Sequence, residues 1–175
     1  MQGKQDYDEF EHRHQFAVWA SARAAQRGFT STAKIRDAIE KSNLKSIAME
    51  AQSWKGGIAE FDKIHIEVCD KLKLSLEKCS YGRAAKMVAI YFKCMIVLMG
   101  DHESILGKIL HPPIDSILLR NLKKNNRNNW KLIDAIKGKA WTTLEQKEYF
   151  ELIAALREFQ HNEPCFWKLE KYWQV

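Results

Sequence analysis

Apolar residues recur along this chain at spacings of three and four, with little strict alternation. That spacing is the pattern of helices packed by one face. Phe10, His14, Ala17, Ser21 and Ala24 follow it, with Phe16, Trp19, Ala20 and Arg23 alongside. They predict a first helix from about Asp8 to Arg27, acidic in its first turns, basic in its last, and closed by Gly28 as a left-handed cap. Ile35, Ala38 and Ile39 mark a shorter helix capped from Thr30, Ser31 or Thr32. The pattern weakens between Asn43 and Trp54, and Gly56-Gly57 interrupts the chain. In Ile58–Cys79, the spacing of Phe61, Ile64, His65, Val68 and Leu72 favours a helix, although Leu72, Leu74 and Leu76 alternate as in a strand. An isolated strand would have no partner, so a helix is expected.

Tyr81–Met99 differs from the rest. After Arg83 it is apolar on nearly every side, which predicts a central helix, capped by Ser80 and ended by Gly100. Arg83 and Lys86 are expected on its exposed side. Ile105, Leu106, Ile109 and Leu110 lie in a connector, and His111-Pro112-Pro113-Ile114-Asp115 then reads as a helix start with Asp115 in its first turn. The polar run Asn125-Asn126-Arg127-Asn128-Asn129 should stop that helix, and a short one should follow with Trp130, Ile133 and Ile136 inward. Thr142-Thr143-Leu144-Glu145 suggests a capping box for a long helix reaching about His161. Past Pro164, a last short helix carries Phe166, Trp167, Leu169, Tyr172 and Trp173. The expected fold is all-α, a single domain over residues 1–175 with about six to eight helices around the segment 81–99.

Composition adds constraints to this picture. Eight Gly and three Pro in 175 residues leave little material for turns. Four cysteines, Cys69, Cys79, Cys94 and Cys165, form no C-x-x-C pair and read as reduced core residues. His65 and Cys69 would share a helix face, but no third ligand accompanies them, so no metal and no other cofactor is expected. The apolar run Ala84–Met99 is too short to span a bilayer and contains Lys86 and Lys93. The first fifteen residues lack the apolar stretch of a leader, and a cytoplasmic location is expected.

Charge provides the sharpest functional signal. Between Arg120 and Lys139 lie seven cations (Arg120, Lys123, Lys124, Arg127, Lys131, Lys137 and Lys139) and one acid, Asp134, so this stretch holds the whole formal net charge of +6. A solvated face explains such a run, and so does a site for phosphates. The leading expectation is a module that binds polyanions, most plausibly nucleic acid, through residues 120–139. A second expectation is a hydrolase or nucleic-acid-processing enzyme with a His/Asp/Arg site drawn from His14, Arg23, His65, His111 and Asp115, in which His111 and Asp115 orient each other. A third is a helical protein–protein module or homodimer presenting the aromatic C-terminus. Trp130, beside the basic stretch, would serve either as core packing or as a platform for a stacked base.

Overall fold

The computed structural model describes residues 7–174. Nine α-helices occur among them: α1 Glu9–Ala25, α2 Thr32–Glu40, α3 Leu44–Met49, α4 Ile58–Ser75, α5 Tyr81–Phe92, α6 Ile105–Ile109, α7 Ser116–Asn125, α8 Trp130–Ile136 and α9 Gln146–Phe159. Short 3-10 turns cover Asp101–Glu103, Trp141–Thr143 and Phe166–Tyr172, and the described residues contain no strand. No helix among them is long and apolar enough to cross a membrane.

Local chemistry sets most boundaries. The side chains of Asp8, Ser31, Ser80, Ser104 and Asp115 each accept from an otherwise unpaired N–H at the start of α1, α2, α5, α6 and α7. Gly28 and Gly100 take positive φ just past α1 and past the extension of α5, as a left-handed turn requires.

Helix α5 is the centre. Ten of its twelve residues are buried, with α1 and α4 packed along it and α9 nearby. It continues beyond Phe92 as a π-turn, Lys93–Val97, in which the Leu98 N–H donates to the Lys93 carbonyl. A single cluster of buried apolar side chains takes members from every α-helix, so the nine share one core.

Several expectations shift. The Ile105–Leu110 connector contains a helical turn, α6. Helix α7 begins at Ser116 rather than at the prolines, because a residue preceding proline is driven extended and Asp115 is the better cap. Helix α9 begins at Gln146, with the Glu148 carboxylate accepting from the Glu145 N–H. Thr142 and Thr143 lie instead in a docking turn, whose carbonyls at Thr142 and Leu144 accept from the Ser80 hydroxyl and the Gly82 N–H. Leu74 and Trp130 are exposed, and Leu132 and Ile136 cover the core face of α8.

Glycine is needed at 82 for a separate reason. A Cβ there would overlap the Trp141 carbonyl oxygen, so only glycine lets the 140–145 segment lie against α5. Ile96 is fully buried. Ile96→Ala is expected to cost about 2–5 kcal/mol in a urea titration. A variant as stable as the parent would show that the segment after α5 is not core.

Candidate functional site

Three buried histidines share one arrangement. The Nδ1 atoms of His14, His65 and His111 lie 2.7, 2.9 and 3.0 Å from the hydroxyls of Tyr91, Tyr81 and Tyr149, respectively. A buried tyrosine needs a partner for its hydroxyl, and an imidazole supplies one without introducing charge. These bonds tie α1 to α5, α4 to α5, and the 111–115 segment to α9. His14 also places Nε2 3.1 Å from Glu40, joining α1 to α2.

The His65 and His111 rings stand 4.6 Å apart between centroids, and His65 stacks on Tyr149 at 5.4 Å. From there the polar network runs outward. His111 Nε2 is 3.1 Å from Asp62, which takes two hydrogen bonds of 2.8 Å from the Arg157 guanidinium. Arg157 also approaches His111 Nε2 at 2.9 Å. Nε2 can serve only one neighbour: as N–H it donates to Asp62, and unprotonated it accepts from Arg157. Burial would raise the Asp62 carboxyl, but the bonds from Arg157 and His111 outweigh it and hold the group well below the usual range. Burial lowers both imidazoles, reinforced at His65 by the neighbouring His111 and opposed at His111 by the bond to Asp62. This network is therefore two neutral rings sealed by an ion pair.

The expected His/Asp/Arg set is not assembled. His65 and His111 meet, but His14 is engaged elsewhere and Arg23 is exposed. Asp115 bonds to other groups than His111, because its carboxylate is turned toward α7 and α5. One oxygen accepts from the Ile117 and Leu118 N–H groups. The other lies 3.3 Å from the Lys86 ammonium and accepts from the Trp173 indole at 2.9 Å.

Lys86 corrects the sequence reading most. It is 9% exposed rather than solvated, and its ammonium sits 4.2 Å from the Trp141 ring centroid. The 140–145 segment, held to α5 at Gly82, puts that indole in place. Trp141 also lines a cleft of about 570 Å³ with Ser116, Leu119, Arg120, Lys123, Ile136 and Lys139. The Lys86–Asp115 pair thus lies directly behind the wall of a cationic cleft.

The basic residues divide into two sets. Lys131 pairs with Glu158 at 2.8 Å and Lys139 with Glu148 at 3.6 Å. Arg120, Lys123, Lys124, Arg127 and Lys137 are exposed, and among the described residues none has a carboxylate within 4.0 Å. Arg120 and Lys123 face the Trp141 cleft, whereas Lys124, Arg127 and Lys131 line a second, more open one of about 790 Å³ with Trp130. Among the described residues no group of three His, Cys, Asp or Glu is placed to hold a metal ion.

Comparison of this chain with protein-family models, curated proteins and solved structures gave no match.

The network makes stability depend on pH. Both imidazoles have folded-state pKa values below the ordinary 6.5, so on acidification the unfolded chain takes up protons first. Their contribution is complete above about pH 6.5 and is lost as the pH falls below it. Asp62, lowered from 3.8, adds a further loss only in more acidic solution. The urea midpoint should therefore fall between pH 7.5 and about 5, and a flat profile would contradict the burial of both rings. Asp62→Asn should lose on the order of 2 kcal/mol at neutral pH by leaving Arg157 without its charged acceptor.

Proposed function

We propose that this chain binds the sugar–phosphate backbone of nucleic acid across α7 and α8 and acts on the strand with the Lys86 amine. The carrying observation is the Lys86–Asp115 pair, nearly dry and one indole behind the Trp141 cleft. An apolar residue commonly serves stability as well as a buried ion pair does, so a lysine buried in the apolar stretch that follows Arg83 points to use. Arg120, Lys123, Lys124 and Arg127, without a carboxylate partner among the described residues, suit the regular charge of a phosphate backbone.

A lysine amine attacks carbonyl carbon. In a nucleic acid that carbon is the C1′ aldehyde of a deoxyribose that has lost its base. Lys86 passes a proton to Asp115 and its Nζ lone pair adds to C1′. The former aldehyde oxygen takes one proton from the nitrogen that has added and a second back from Asp115 and leaves as water, so a protonated imine joins the strand to Nζ. Trp141 swings aside to admit the sugar. Lys86 and Asp115 take the place of the His/Asp/Arg set, whose histidines are occupied by tyrosines.

Two measurements separate binding from chemistry. Fluorescence anisotropy with labelled DNA should show affinity falling steeply with salt. Reversing Lys123, Lys124 and Arg127 to Glu should cost about tenfold or more in affinity while the helical signal is retained. Equal binding by wild type and reversed protein would reduce the face to a solubilising one. Sodium borohydride added to protein and DNA carrying an abasic site should trap a covalent adduct, absent in Lys86→Gln, which should still bind. No adduct with wild type, or an undiminished one with Lys86→Gln, would overturn the lysine's role.

A further inference from the structure

The second cationic cleft contains an aromatic ring that nothing among the described residues covers. Trp130 opens α8 and is 72% exposed, although its spacing with Ile133 and Ile136 predicts an inward position. Burying a large apolar side chain stabilises a protein, and here that gain is forgone. The ring stands beside Lys124, Arg127 and Phe159, and the cleft lining includes no carboxylate.

The asparagines of the same loop divide by task. Asn126 donates its amide to the Leu122 carbonyl, and Asn129 caps α8 by accepting from the Leu132 N–H. Asn125 and Asn128 are exposed, and among the described residues neither side chain makes an intramolecular hydrogen bond. Each presents a donor and an acceptor together. A phosphate calls only for donors, whereas the edge of a nucleobase offers both kinds of group. A flat π-face flanked by cations adds a stacking surface, which suits a base that is not paired.

We propose that Trp130, with Asn125 and Asn128, holds an unpaired base, so the chain prefers single-stranded or locally opened nucleic acid to intact duplex. The proposal rests on the backbone-binding reading above and names its substrate class. Lys124 and Arg127 hold the flanking phosphates, and the base stacks on the indole. In a duplex the same base is already stacked and its edge is paired, so Trp130 contributes little.

The test is a binding titration with a labelled single-stranded DNA oligonucleotide and the matching duplex, at one salt concentration. The proteins are wild type, Trp130→Ala and Trp130→Phe. Trp130→Ala should weaken single-strand binding by about tenfold, the scale of one lost stacking contact, and should leave duplex binding nearly unchanged. Trp130→Phe should recover most of the loss, because it restores a ring. Equal weakening on both forms, or none on either, overturns the base-holding role while leaving backbone binding intact. If wild type binds neither nucleic acid, both readings fall together. A poly-glutamate peptide bound as tightly as the single strand, and equally sensitive to Trp130→Ala, would make this a surface for acidic peptides and overturn the proposal.

Discussion

Helix α5 has almost no side that faces water, and the placement of the other elements follows from that constraint. Its small residues, Gly82, Ala84, Ala85 and Ala89, let neighbours approach closely, while Tyr81, Met87, Val88, Tyr91 and Phe92 fill the space between them. Two faces take α1 and α4. The face at its N-terminus takes the turn that carries Trp141, made possible by the absence of a Cβ at Gly82. A charged residue on such a helix has to find its partners inside the protein. Lys86 finds Asp115 and the face of Trp141, and the site proposed for chemistry follows from how completely this helix is enclosed.

The same enclosure explains the histidines. Tyr81, Tyr91 and Tyr149 are too deep for water to reach their hydroxyls, and three imidazoles from other elements answer them. Pairs of this kind give direction to a core that apolar contacts alone leave free to slide. At His65 and His111 two such pairs pack against each other, and the Asp62–Arg157 ion pair closes the network at its outer edge. This accounts for the histidines without asking catalysis of them.

Much of the fold was legible in the sequence because helical spacing and caps are local. Ser80, Ser31 and Gly28 work where their neighbours indicate, and the continuous apolar run from Ala84 identifies the central helix. The site was less legible. Asp62 and Arg157 stand 95 positions apart, and no periodicity links them to each other or to His111. Lys86 carried a usable signal: with apolar residues on every side of the helix, no polar face remained to receive it. Reading it as exposed treated a lysine by residue type instead of by its surroundings. Trp130 went the other way, its spacing suggesting burial although a helix of two turns has room on its inner face only for Leu132 and Ile136.

Asp115 performs two tasks with one carboxylate, and this limits what chemistry the position will accept. One oxygen begins α7 by satisfying two backbone donors, and the other faces the ammonium and the Trp173 indole. Asparagine would serve the helix, since it caps as well as aspartate does, but would leave the Lys86 ammonium without its charged partner. Glutamate would supply the charge but is one methylene too long for the same cap. Of the three side chains, aspartate alone therefore serves both the start of the helix that carries Arg120, Lys123 and Lys124 and the ion pair that anchors Lys86.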